Sequence, residues 1–271
     1  MRTVAIILLL VLAACEQQPG GEPVVRKALG GDPALRQADI EPTTSEADEG
    51  PPPAFASACK PATFEGTALT HCVAEPTRHD IAAALASGSL QEWRQGREGA
   101  TIAFVMNGGM YDGDLKPVGY FVSESDRLAE LDRAEGEGNF YLQPNGVFFG
   151  TDGRWQVLET QRFLSTITER PDFGTQSGPM LVIDGALHPQ IAENGSSLAV
   201  RNGVGIDAQG TAHFVISDEP ISFGRLARFF RDELGTPNAL YLDGAVSSLW
   251  NPVTGRIDGG RVGPLLVVEN K

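Results

Sequence analysis

Between Thr101 and Val268 the chain breaks into short apolar or alternating runs, each closed within a few residues by Gly, Asn, Asp or Pro. They are Thr101 to Met106, Val118 to Val122, Phe140 to Leu142, Gly146 to Phe149, Trp155 to Leu158, Met180 to Ile183, Val204 to Ile206, Ala212 to Ile216, Ala239 to Leu242 and Leu265 to Val268. Runs this short cannot build a helical bundle, and their spacing predicts a large, mostly antiparallel or mixed β-sheet system. Three stretches carry helical patterning: Ile81 to Gln95, Glu159 to Thr168, and Ser222 to Leu234. The last has Ser222 as N-cap, apolar Phe223, Leu226, Ala227, Phe230 and Leu234, and Gly235 as its stop. The fold class is therefore α+β in a single domain, without internal repeats. Asp207 to Ala212 reads as a hairpin turn, and so does Asp184-Gly185. Pro144-Asn145-Gly146 reads as the turn of a hairpin joining Phe140 and Leu142 to Val147 and Phe149, which gives Asn145 a structural role.

The N-terminus has a different character. Arg2, the apolar stretch Val4 to Leu12 and the small pair Ala13-Ala14 form a signal segment too short for a membrane-spanning helix. Leu12-Ala13-Ala14-Cys15 resembles the bacterial lipobox, which implies cleavage before Cys15 and acylation of its thiol and new amino group. Residues 1–14 are then a lipoprotein signal peptide, and the acyl chains hold the protein on a membrane without a spanning segment. Glu16 in place of an aspartate points to the periplasmic face of the outer membrane within the bacterial cell envelope. Residues 15–54 are rich in Pro, Gly, Glu and Asp and nearly free of aromatics, so they read as a disordered tether. Residues 55–271 remain, about 215 positions, enough for one domain with a sizeable core. Cys59 and Cys72, in a chain sent to an oxidising compartment, are expected to pair as a disulfide across an edge hairpin or meander. The formal charge of −14 becomes −15 without residues 1–14, which excludes nucleic acid as a partner and requires local arginines for any anionic substrate.

No nucleophile elbow, Walker loop, zinc-protease helix or cysteine pair at zinc spacing is present. His71, His79, His188 and His213 show no metal-ligand spacing, and His188 before Pro189 reads as a surface residue. Three polar clusters at strand ends stand out instead: Asn107 to Asp114, Arg201 to Asp207, and Asp243 to Trp250. Together they provide an arginine for an anion, a carboxylate for acid, base or nucleophile work, and amides and hydroxyls for sugar hydroxyls. Each admits a bland reading beside that one. Asn107-Gly108-Gly109 also makes a tight turn, Asp243 also caps a turn, and Arg201 also serves in an ion pair, with Asp207 as a partner at close sequence distance. Asp112, Asp114 and Asp243 are the carboxylates suited to a divalent cation, although no cofactor is required by the sequence.

In order along the chain, Asn107-Gly108-Gly109-Met110-Tyr111, Lys116-Pro117-Val118-Gly119, Asn139 to Phe148, Ser177-Gly178-Pro179-Met180-Leu181, Arg201-Asn202-Gly203-Val204-Gly205 and Leu242-Asp243-Gly244 resemble the phosphodiester glycosidase domain family. The resemblance spans roughly residues 60 to 270 and lies nearest a bacterial, exopolysaccharide-associated branch. It departs from the better-known branch at Asp243-Gly244-Ala245-Val246-Ser247-Ser248 and at Asn202-Gly203. It implies hydrolysis of a sugar-1-phosphodiester. In that reaction Arg201 holds the phosphate, Asp243 acts as nucleophile or base at the anomeric carbon, and Asn107 holds a sugar hydroxyl or phosphate oxygen. Gly108, Gly109, Tyr111, Asp112, Ser247 and Ser248 are the substrate-binding candidates, with Tyr111 and Trp250 available as platforms for sugar rings. Two other readings use the same loops: a non-catalytic glycan- or peptidoglycan-binding envelope module, and a phosphodiesterase that cleaves the P–O bond.

Overall fold

The computed structural model describes residues 55–97 and 101–271, and the expected signal segment, Cys15 and tether lie outside them. The chain opens with β1 (Cys59–Phe64), β2 (Thr67–Ala74), β3 (His79–Leu85), the single turn α1 (Leu90–Trp93) and β4 (Ile102–Asn107). It continues through β5 (Phe121–Ser123), β6 (Asp126–Ala129), β7 (Gly146–Thr151), β8 (Arg154–Glu159), α2 (Thr160–Thr166), β9 (Phe173–Ser177), β10 (Met180–Ile183) and β11 (Ala186–Leu187). The last part holds β12 (Asn202–Ile206), β13 (Ala212–Ser217), α3 (Phe223–Arg228), β14 (Asn238–Tyr241), β15 (Leu249–Asn251), β16 (Arg256–Ile257) and β17 (Pro264–Asn270).

The strands form three sheets, ordered β1-β2-β13-β12-β14-β10-β11, β16-β15-β4-β17-β3 and β6-β5-β9-β7-β8. Every pairing between these strands is antiparallel. This is the single α+β domain expected from the run lengths. The sheets meet on aromatic rings: Phe214 of β13 packs edge-on against Phe104 of β4 at 5.2 Å and Phe148 of β7 at 5.8 Å. All three rings are fully buried, so one residue from each sheet seals the common core. At the outer edge of the first sheet Cys59 stands opposite Cys72 and is disulfide-bonded to it, as the oxidising compartment led us to expect.

The hairpin at 207–211 forms as expected, since the Asp207 carboxylate accepts from the backbone of Gln209 and Thr211. Asp184 and Gly185, both at positive φ, turn β10 into β11. Ser222 caps α3 by accepting from the Arg225 N–H.

Four expectations fail. The alanine-rich stretch from Ile81 is a strand, because residues 79–85 pair along their whole length with β17 and the ladder outweighs alanine's helix preference. Helix follows only as one turn, which the Ser89–Glu92 capping box starts. Asn139–Tyr141 is a 3-10 turn rather than a strand. The Phe140 carbonyl accepts from the Asn145 side chain, whose oxygen accepts from Thr160, so Asn145 is a buried polar clasp and the segment is not a hairpin turn. His188 is buried rather than superficial, with Nδ1 accepting from Gln190 N–H.

His71 and His213 stack on the first sheet, their ring nitrogens 2.9 Å apart, and Asp207 anchors His213 at 3.1 Å. Burial first, then the neighbouring His213 and Lys60, lower the His71 pKa to about 4. Because the folded value lies below the ordinary 6.5, the native state favours neutral His71. Its contribution to stability is complete above about pH 6.5 and is lost as the pH falls toward 4. Urea denaturation should show a loss of about 2 kcal/mol from this group between pH 7.5 and pH 5. His71→Gln should remove that part of the pH dependence, and an unchanged slope in the variant would contradict the assignment.

Candidate active site

The site is built where the first two sheets run out side by side. β4 ends on Asn107, whose side chain is fully buried and fully bonded. Its oxygen accepts from Asn202 Nδ2 at 2.8 Å and from the Ser248 N–H at 2.9 Å, while its Nδ2 donates to the Asp243 carbonyl at 2.8 Å. One carboxamide therefore joins the end of β4, the start of β12 and both ends of the 243–248 loop. The backbone adds a second tie, from Asp243 N–H to the Gly108 carbonyl at 3.1 Å.

Gly109 explains why glycine follows the strand. A Cβ there would collide with the backbone oxygen of Gln176, and the Gly109 N–H donates to Thr175 Oγ1 at 3.0 Å. The loop is thereby pressed onto β9 of the third sheet, so Gly108 and Gly109 serve close packing of backbones. Asn107-Gly108-Gly109 is thus the end of β4 and a bend against the third sheet rather than a hydrogen-bonded tight turn.

Arg201 immediately precedes β12 and is only 3% exposed. Its Nε donates to the Ile221 carbonyl at 2.9 Å, one Nη to the Tyr241 hydroxyl at 3.3 Å, and the other to the carbonyl and hydroxyl of Ser197, both at 3.1 Å. The guanidinium lies over the Phe223 ring at 3.6 Å. All these partners are neutral. Asp207 is not its ion partner, because the two sit at opposite ends of an extended strand and Asp207 is engaged with His213.

Tyr241, the last residue of β14, stands two positions before Asp243, and its hydroxyl accepts from Arg201. Burial raises the Tyr241 pKa first, the Arg201 charge opposes that rise, and Asp243 adds to it. Asp243 caps a 3-10 turn by accepting from Ala245 N–H at 3.2 Å. Burial pushes its carboxyl pKa above the ordinary value, with the Ala245 hydrogen bond acting against the rise. Ser247 donates to Asn202 Oδ1 at 3.3 Å, which closes a chain of contacts from Ser247 through Asn202 and Asn107 to Asp243.

Asn107, Arg201, Asp243 and Ser247 thus gather around one strand-end junction. Tyr111 sits at its margin, its hydroxyl donating to the Arg261 carbonyl at 2.7 Å and its pKa raised by burial and then by Asp243. Ser248 Oγ faces the Val246 and Gly259 carbonyls. Asp112 is exposed and holds its own loop by accepting from Asp114 and Lys116 N–H groups. Among the described residues no three His, Cys, Asp or Glu side chains gather to hold a cation, so Asp112, Asp114 and Asp243 do not meet at one point. Trp250 is core, 8% exposed and edge-on to Trp93 at 6.3 Å, rather than a sugar platform. A shallow cleft of about 790 Å³ bordered by Pro117, Val118, Asp132 and Gln161 contains none of the junction residues.

Three members escaped the sequence reading: Tyr241, Asn202 as a bonded partner, and Ser197. For Tyr241 a signal exists, since a tyrosine two residues before an aspartate on a strand presents its hydroxyl on the same face. Ser197 lies in an irregular segment and carries none. Asn107→Ala should leave the Asn202 and Ser248 donors unpaired in the interior. We expect a loss of about 3 kcal/mol in urea unfolding.

Residues 100–264 match the family model for phosphodiester glycosidases. Uncharacterized protein YigE of Escherichia coli (strain K12) is 34% identical over 149 residues, which are 55% of this chain and 58% of that protein. The chain thus spans little more than half the length of that relative. The catalytic domain of zebrafish N-acetylglucosamine-1-phosphodiester alpha-N-acetylglucosaminidase, solved auto-inhibited by its pro-peptide, is similar with a TM-score of 0.54 and 13% identity, covering 79% of this chain and 82% of that one. A hypothetical protein from Synechocystis gives a TM-score of 0.50 at 14% identity, covering 79% of this chain and 61% of that one. At such identities the solved structures share the fold alone.

Proposed function

Since this chain belongs to the phosphodiester glycosidase family, a hydrolase family, we propose that it hydrolyses a sugar-1-phosphodiester between the anomeric carbon and the phosphodiester oxygen. The observation that carries this reading is Arg201. It is a buried full positive charge whose hydrogen bonds all go to neutral acceptors, and it shares Tyr241 with the segment that bears a half-buried carboxylate. An isolated buried charge costs several kcal/mol, and an anion delivered by a substrate offsets that cost.

In this reading the phosphate approaches the Arg201 and Tyr241 edge, where positive charge without a resident counter-ion stabilises the charge that develops on the departing phosphate. Phosphate leaves as an already stabilised anion, so one carboxylate suffices. Asp243 takes a proton from water as the water oxygen bonds to the anomeric carbon. The carbon–oxygen bond breaks, its electron pair leaves with the phosphate monoester, and the proton on Asp243 passes to solvent. The role as base fits the absence of a second carboxylate from the hydrogen-bonded network described above. Asn107, whose carboxamide is wholly engaged, acts through the backbone of Asp243 as a positioning residue. The setting we propose is a lipoprotein acylated at Cys15 on the periplasmic face of the outer membrane, acting in envelope or exopolysaccharide metabolism.

The test is incubation of the protein with a panel of sugar-1-phosphodiesters, with separate detection of free sugar and sugar phosphate. Arg201→Ala and Asp243→Asn should each lower turnover by at least about 100-fold while the thermal transition persists. Release of sugar phosphate would instead identify P–O cleavage, and binding without turnover would identify a glycan-binding module.

The pH profile supplies a second check. Asp243 works in its ionised form, and burial places its pKa above the ordinary carboxylate value. The acid limb of kcat/KM should therefore lie above pH 3.8, and Asp243→Glu should displace it.

A further inference from the structure

Residues 189–200 form a long irregular segment between β11 and β12, and its C-terminal part is hydrogen-bonded to two members of the junction, Arg201 and Ser247. Ser197 holds the Arg201 guanidinium through both its carbonyl and its hydroxyl. Three residues on, the Val200 carbonyl accepts from Ser247 Oγ at 3.5 Å. The stretch Leu198-Ala199-Val200 is therefore pinned at both ends to members of the site. Ala199 is fixed in the middle by paired backbone hydrogen bonds with Ile221, at 2.8 and 3.3 Å.

These three residues are all apolar and all exposed, with Leu198 at 60% and Val200 at 37%. Among the described residues the other exposed large hydrophobics, Phe55, Leu85, Leu128 and Leu164, are far apart along the chain, and isolated apolar residues need no explanation. A contiguous apolar ledge hydrogen-bonded at both ends to residues of a polar site is a different matter. It adjoins the charged edge of Arg201, where a phosphate group sits in the reading above, and a phosphodiester must leave that edge carrying its second substituent. No charged side chain occurs in residues 195–200 to greet a sugar phosphate or an ionised peptide there.

Resting on the proposed hydrolysis of a sugar-1-phosphodiester, we infer that Leu198 and Val200 select the other half of the diester, and that this half is a hydrocarbon alcohol. The substrate class is then a glycosyl phospholipid: the sugar lies toward Asp243, the phosphate on Arg201, and the alkyl chain along the ledge. Hydrolysis of such a diester adds water across the anomeric carbon–oxygen bond, giving free sugar and the alkyl phosphate with no further reactant. The fixed ledge contributes by covering methylene groups that water otherwise surrounds.

The experiment compares methyl and hexyl phosphodiesters of glucose, galactose and N-acetylglucosamine 1-phosphate, all soluble as monomers, against the full chain. Calorimetric titration gives Kd and released sugar gives kcat/KM. For the accepted sugar the hexyl diester should bind about tenfold more tightly than the methyl diester, from partial cover of its five additional methylenes. In the double variant Leu198→Ser, Val200→Ser that ratio should fall to within about twofold. Equal affinity for the two diesters, or a preference that survives the double variant, would overturn the ledge assignment. Hydrolysis of both diesters without discrimination would leave the reaction standing and remove the ledge. A hexyl preference that the variant abolishes, in the absence of any turnover, would do the reverse. Failure of every diester to bind would overturn both.

Discussion

The Asn107 carboxamide is the bond on which the site depends. It is buried, and each of its polar atoms is committed: the oxygen to Asn202 and Ser248, the nitrogen to the Asp243 carbonyl. An amide in the interior is tolerable only when satisfied, and these partners come from segments about 95 and 141 positions away. The same three bonds that satisfy it therefore also fix where the 243–248 loop lies relative to β12. A residue that on sequence grounds looked like a substrate contact is instead the fastening that holds the aspartate in place.

Around that fastening sits a charge with no counter-ion among the described residues. Arg201 is buried against Phe223 and bonded to neutral oxygens, while arginines nearer the surface are paired: Arg225 and Arg228 with Glu65, and Arg256 with Asp218 and Asp258. The contrast separates two uses of the same residue. The pairs nearer the surface add little to stability, whereas the interior charge acts on Tyr241, where it opposes the rise in pKa that burial causes.

The support for both comes from the packing of three sheets. Phe104, Phe148 and Phe214 interlock in the shared core, and at the far end of β4 the glycine pair lets the loop touch β9. Gly109 has no room for a side chain because the third sheet's backbone lies against it. The site therefore draws on all three sheets, although its polar residues come from two of them.

Local order was legible in the sequence wherever short-range chemistry decides it. The apolar runs marked most of the strands, Ser222 marked the cap of α3, Asp207 and Asp184-Gly185 marked their turns, and Cys59 and Cys72 marked a bridge. The ordered motifs also marked Asn107, Arg201 and Asp243 as belonging together. Where partners from distant segments decide, the sequence reading failed. Residues 79–85 became a strand because β17 was there to pair with them, and Phe140 turned because Asn145 claimed its carbonyl. By itself the sequence determined a β-rich α+β domain and the residue types of the candidate site. Only the tertiary structure decided that Asn107 fastens the 243–248 loop, that Tyr241 bonds to Arg201, and that Arg201 has no counter-ion among the described residues. Those roles depend on which donor meets which acceptor across the interior, and such meetings exist only once the sheets have packed.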